Sequence, residues 1–144
     1  MAIRLSTGMR NGLVGTQGIK EMFQGGFIGI FSGAQPADPN QAETGSLLAV
    51  VSSSSGTNGI GFGTEGSGAL PKDSGIWSGI VGTAGVAGWF RLYSADKPMG
   101  SNGTACRMDG NVGVSGADLA MANTNLELGA TVTLDSATFT EPAS

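Results

Sequence analysis

The chain has 144 residues, enough for one domain with a substantial core, and a formal net charge of −4. It contains 26 Gly, one Cys and no His, and it is 40% hydrophobic but only 12% charged. These values exclude an intrachain disulfide framework and every histidine-based triad, metal ligand or pH switch, and the apolar content is too high for a disordered chain.

The basic residues Arg4, Arg10, Lys20, Lys72, Arg91, Lys97 and Arg107 are never adjacent. No patch of the kind that neutralises phosphates results, so direct nucleic-acid binding is not expected. Arg4, Arg10 and Lys20 against Glu21 leave residues 1–24 at +2, and the rest of the chain therefore carries −6. That segment is either solvated surface or a docking element for an acidic neighbour. The N-terminus lacks the apolar core of a signal peptide, and no run approaches the ~20 apolar residues of a transmembrane helix. The expectation is a soluble protein made in a cytosol, without a membrane partner. Abundant Gly and scarce charge predict an all-β domain that covers part of its surface with a partner, including further copies of itself.

In chain order, residues 1–26 form the only helical segment. Leu5, Met9 and Leu13 recur every four residues, and Ile19 and Phe23 repeat the spacing. Gly8, Gly12, Gly15 and Gly18 each cost ~1 kcal/mol against Ala, which predicts two short helices broken at 15–18. Thr16 is the candidate cap of the second, and Gly25-Gly26 ends it. From residue 27 to 144 the pattern is β. Strands are expected at 27–32, 47–52, 76–81 and 86–93, with a polar turn-rich loop at 34–45. Residues 53–75 read as a Gly/Ser-rich loop. Gly82-Thr83-Ala84-Gly85 predicts a hairpin. In the fourth strand Val86, Phe90 and Leu92 share one face, and Trp89 and Tyr93 the other, so the strand is buried on both sides or faces a subunit. A strand at 104–115 is expected to break or bulge at Asp109-Gly110. Residues 119–121, 126–128 and 131–140 complete the set, with a bulge or sheet switch near Asp135-Ser136. Eight or so short strands predict an antiparallel β-sandwich or a partly open barrel.

Chemical motifs are weak. Gly61-Phe62-Gly63-Thr64-Glu65-Gly66 matches GxGxxG, but no helical pattern follows it, so a dinucleotide site is not expected. Asp109, Asn111 and Asp118 offer oxygens for Ca²⁺ without EF-hand spacing, and an Asp-Gly turn needs no metal. Asn102-Gly103-Thr104 has the form of a glycosylation sequon. Cys106 sits in a predicted strand without a base and reads as structural. Trp77 and Trp89 form either a ligand platform or part of the core, and with Tyr93 they are the candidate interface aromatics. The acids are scattered singly. No catalytic, cofactor-binding or metal-binding residue is assigned, and the chain is not expected to be an enzyme.

The segments RLSTGMRNGL with GFIGIFSGAQPADPNQAETGSLLA, and AGWFRLYSAD with RMDGNVGVSGADLAMANTNLELGATVTLDSATFTEP, resemble a group of small tailed-bacteriophage and prophage virion proteins. The shared pattern is RLSTG, a SGxQP loop, a GWxRL strand and a DGxVGxSGADL turn. It covers most of the chain apart from the Gly-rich stretch, which is longer than the pattern's loop. The resemblance implies a virion structural protein. Our own expectation within that class is a capsid decoration, or cement, protein bound to the major capsid protein lattice, with a tail- or collar-associated or carbohydrate-binding attachment module as the alternative. Ile3, Arg4, Leu5, Met9, Arg10 and Leu13 are the candidate anchoring residues, on a surface that is either the lattice or the chain's own β domain. Elemental analysis of purified protein should find no stoichiometric zinc, and calorimetry no tight nucleotide binding. Either signal would restore an enzymatic reading.

Overall fold

The computed structural model describes residues 3–53, 58–96, 98–134 and 138–140. The chain is mainly antiparallel β with two short helices. Arg4–Leu5 is a short strand, β1, followed by helices α1 (Thr7–Val14) and α2 (Ile19–Phe23). Then come β2 (Phe27–Ser32), β3 (Leu47–Ser53), β4 (Ala69–Pro71), β5 (Trp77–Ile80) and β6 (Gly85–Tyr93). The last strands are β7 (Arg107–Gly113), β8 (Leu119–Ala120), β9 (Asn125–Leu126), β10 (Thr131–Leu134) and β11 (Thr138–Thr140). The main sheet has nine strands in the order β1-β7-β6-β2-β3-β5-β10, with β8 on β7 and β9 on β6. It does not close, since no pairing joins β1 to β10 among the described residues. β4 and β11 form a separate two-stranded sheet. Every pairing of named strands is antiparallel except β7 with β8.

The pleat gives the central strands two different faces. Ile28, Ile30, Phe90, Leu92, Met108 and Val112 point into the main core. Ile28 lies opposite Leu92, and Leu92 opposite Met108. Phe31, Trp89 and Tyr93 form a second cluster, with Leu47 packed against it. The expected division of β6 holds from Trp89 to Tyr93, where this chain alone buries both faces. It fails at Val86, because the pairing with β2 shifts register between Phe31 and Ser32, which puts Ala87 in the main core and leaves Val86 exposed.

The N-terminal segment differs in part from expectation. The break at residues 15–18 is present. Thr16 caps nothing, since Gly18 is the N-cap of α2 and supplies no side chain. Arg4 and Leu5 are not helical but pair with Asp109 and Met108. Ser6 instead caps α1, and its buried hydroxyl accepts from the Met9 amide at 3.1 Å and the Arg107 amide at 2.9 Å while donating to the Ala105 carbonyl at 2.7 Å. Met9 is buried in the main core, and Leu5 and Leu13 pack against it. Residues 3–24 are thus a lid on the chain's own sheet.

Three further expectations are corrected. Gly82-Thr83-Ala84-Gly85 is no hairpin, because β5 pairs with β3 and β10 while β6 pairs with β2, β7 and β9. Asp109-Gly110 makes no turn or bulge: β7 runs straight through it, Asp109 opposite Arg91 and Gly110 opposite Phe90. A Cβ on Gly110 would come within 2.6 Å of the Phe90 ring and 2.8 Å of Ile3, so glycine there makes room for an aromatic side chain. The expected loop at 53–75 is not unstructured over its described part, residues 58–75, since Ile60, Phe62 and Leu70 are buried core and β4 lies within it. The expected sheet switch is real, because β10 belongs to the main sheet and β11 to the small one. The Asp135-Ser136 bulge lies outside the described residues.

Leu92 is almost wholly buried between Ile28 and Met108. Leu92→Ala should lower unfolding free energy by ~2–5 kcal/mol in urea titration. An unchanged midpoint would remove Leu92 from the core.

Candidate functional site

The densest polar chemistry lies on the second face of the sheet, under the segment joining β2 to β3. Arg91, Arg107 and Asp109 have no exposed surface at all. Arginine and aspartate are almost never fully buried unless paired. Here β6 places Arg91 directly opposite Asp109 of β7, so the pair forms across one register position. Arg91 Nε donates to Asp109 Oδ1 at 2.6 Å and Nη2 to Oδ2 at 2.8 Å, the bidentate fork that suits a planar guanidinium. Arg91 Nη1 donates to Glu43 Oε1 at 3.2 Å and to the Gln41 carbonyl at 3.0 Å. The guanidinium also lies 5.3 Å from the Trp89 ring, which stacks on Phe31 at 4.5 Å.

Among the described residues Arg107 meets no carboxylate directly. It donates to the carbonyls of Pro39, Gln41, Pro98 and Gly100, and its Nε has no hydrogen-bond partner. Glu43 completes the group, accepting from the Tyr93 hydroxyl at 2.7 Å and the Gly100 amide at 2.9 Å. Two guanidinium groups and two carboxylates make the cluster neutral.

The overlying segment, residues 33–46, is held by its backbone. Its Pro36 carbonyl accepts from Arg4 at 2.8 Å, and its Thr44 carbonyl from Trp89 Nε1 at 3.3 Å. Its Asn40 side chain exchanges hydrogen bonds with Thr7. Gly88 lets it close onto β6, since a Cβ there would come within 2.1 Å of the Gly33 carbonyl oxygen. The segment is a strap, fixed by donors from the sheet and the N-terminal segment.

Burial opposes the charge on Arg91, but the Asp109 hydrogen bonds and charge outweigh it and raise its pKa. Burial pushes Asp109 up from its ordinary value, against the pull of Arg91. Arg107 is lowered by burial and by the charge on Arg91. Burial would raise Glu43, yet Tyr93, Gly100 and Arg91 together hold it below the ordinary carboxylate value. Tyr93 is raised, first by burial and then by Glu43, so its hydroxyl is a donor at any working pH.

The candidates named from sequence scatter. Trp77, Trp89 and Tyr93 are all buried inside one chain, which corrects both the ligand-platform and the interface readings. Trp77 Nε1 is 3.3 Å from Asp73 Oδ1, and its ring meets Phe62 edge-on. Of the anchoring candidates, Met9 is buried, Leu5 and Leu13 are partly buried, and Arg4 is committed to the strap, while Ile3 and Arg10 are exposed. The Ca²⁺ candidates do not converge: Asp109 serves Arg91, while Asn111 and Asp118 accept from each other's backbone amides at 2.9 and 3.1 Å. No metal-holding group of His, Cys, Asp or Glu exists among the described residues. Gly61 and Gly63 flank buried Phe62, and burial raises the Cys106 thiol. No helix among the described residues is long and apolar enough to cross a membrane.

Sequence reasoning missed the Arg91, Arg107, Asp109 and Glu43 cluster. The available signal was charge inside apolar strands: Arg91 stands between Phe90 and Leu92 on the face of Trp89 and Tyr93. Both carboxylates of the cluster accept hydrogen bonds from guanidinium, hydroxyl or amide donors, and these contacts fasten the strap to the sheet. Comparison with protein-family models, curated proteins and solved structures finds no match.

Asp109→Asn leaves the buried Arg91 with Glu43 as its one remaining countercharge among the described residues and should destabilise the chain by ~3–5 kcal/mol in urea. Arg91→Met with Asp109→Leu should recover most of that loss. A loss no greater for the single variant than for the double would disprove the pairing energetics. Glu43 has a lowered folded pKa, so its stabilisation is full above the unfolded carboxylate range and fades as pH falls through the folded value. Glu43→Gln should flatten that acid limb in a pH series of unfolding midpoints.

Proposed function

We propose that this chain is a structural protein of a tailed-bacteriophage particle, and that within the particle it decorates the capsid by docking on the major capsid protein lattice. The observation that carries the reading is where the resembling motifs meet. Arg4 of RLSTG donates to Pro36 of the SGxQP loop, and Arg91 of GWxRL pairs with Asp109 of DGxVG. The pattern that resembles virion proteins therefore coincides with one fastening network. Its residues are committed to holding a strap on a sheet, and none is poised for turnover. That is the chemistry of a scaffold, and it supports a non-enzymatic role.

A particle protein present in many copies gains avidity from a lattice without a strong individual site. The proposed location is the capsid exterior, after synthesis in the bacterial cytoplasm. The proposed partners are the major capsid protein or other virion proteins, with self-association into a homo-oligomer. The alternative, a tail- or collar-associated attachment module, loses its suggested carbohydrate platform because Trp77 and Trp89 are internal.

Purified protein should co-sediment with undecorated, expanded shells and reach hundreds of copies per particle, on the order of a lattice site's multiplicity. Protein that ignores such shells at every salt concentration would move the reading to the tail or collar. Removing residues 1–14 should not give a folded, merely unanchored domain. Met9, Leu5 and Leu13 cover the core, so the truncated chain should melt earlier or aggregate.

A further inference from the structure

The seam of the open sheet has the chemistry of a peptide-binding slot. β10 ends the sheet: it pairs with β5 on one side, and no strand pairs with its other edge among the described residues. An unpaired edge presents a row of backbone donors and acceptors that only another extended backbone matches. Edges are usually guarded by Lys, Pro or a bulge, but β10 is Thr131-Val132-Thr133-Leu134, with no charge and no proline. Beside it lies a groove of about 550 Å³, walled by β10 and by residues 120–127, including Ala122, Asn123 and Asn125.

Leu134 and Ala120 line this groove and also a second hollow of about 810 Å³. That hollow is lined by apolar side chains such as Ile28, Phe90, Met108 and Phe139. A strand in the groove alternates its side chains, one set inward and one outward. Val132 and Leu134 already point inward, while Thr131 and Thr133 are exposed. A neighbour would therefore send every second side chain towards the apolar hollow. Backbone pairing for affinity and pockets for alternate side chains are the two elements of β-strand addition.

We propose that this groove binds an extended segment of a partner polypeptide by strand addition to β10. The fitting segment has branched apolar residues at alternate positions and neutral or basic residues between them. Glu127 lines the groove and Asp118 the hollow, with no basic side chain in either lining, so acidic segments are disfavoured. A second copy's β10 does not fit. In that copy β10 carries β5 on its other edge, so a two-stranded body, and not a single strand, would have to enter between β10 and the facing wall of residues 120–123 and 125–127. The occupant is thus a terminal arm or loop.

The test uses the full chain and a fluorescein-labelled decapeptide that alternates valine with threonine and carries a lysine at each end. It should bind and slow hydrogen exchange at the amides of residues 131–134. N-methylation of its central residues should weaken binding about tenfold or more, since the backbone hydrogen bonds are lost. Ala122 is exposed on the groove wall, so Ala122→Trp should weaken binding by a similar factor with the melting temperature unchanged. Absence of binding up to millimolar peptide would overturn the proposal. So would binding without protection of residues 131–134, or binding indifferent to both N-methylation and Ala122→Trp. A free-chain dimer dispersed by Ala122→Trp would assign the groove to a second copy and overturn it equally.

Discussion

A guanidinium sealed from water must find its countercharge and its acceptors inside the protein, and this fold is arranged around two of them. Arg91 and Arg107 project from neighbouring central strands to the same face. Burying either alone would cost several kcal/mol. The cost is offset by Asp109, by Glu43 and by carbonyls of the strap and of residues 98–100. The strap is therefore required by the sheet's own charges. A long irregular segment lies flat on a β-sheet because its carbonyls are the acceptors that the arginines lack.

Such a network contributes more to uniqueness than to net stability. A buried ion pair often does no better than apolar residues of the same shape. What it does fix is register. Sliding β6 by one residue against β7 would carry Arg91 into the apolar core and Phe90 and Leu92 out beneath the strap. The Arg91–Asp109 fork makes that slip prohibitive. The N-terminal segment adds a second constraint on β7, because Ser6 bonds to Arg107 and Ala105 while Arg4 reaches the strap. Segments far apart in sequence thus converge on two strands.

Much of the architecture was legible because it follows from alternation. The division of β6 into a Phe90–Leu92 face and a Trp89–Tyr93 face needed only the period of a strand. The same holds for the switch between β10 and β11, while β2 was legible as a short apolar run. The errors came where tertiary contacts overrode local chemistry. Asp109-Gly110 is a turn signal by composition. It lies in mid-strand because Asp109 is needed by Arg91 and Gly110 by the Phe90 ring. Residues 53–75 looked empty because Ile60, Phe62 and Leu70 are widely spaced among glycines, yet each reaches the core. The buried charges were visible as residues but not as partners, since the sequence does not show which strands are neighbours.

The functional reading depends on that network being permanently shut, a fastening and not a site that opens to solvent or ligand. Proton exchange at Arg91 Nε, which is bonded to Asp109 beneath the strap, reports on this directly. Followed by NMR beside the backbone amides of β6, it should exchange no faster than they do, because both then wait for the same opening of the sheet. Exchange at the rate of a solvent-exposed guanidinium would mean that the strap lifts on its own, and would contradict the account.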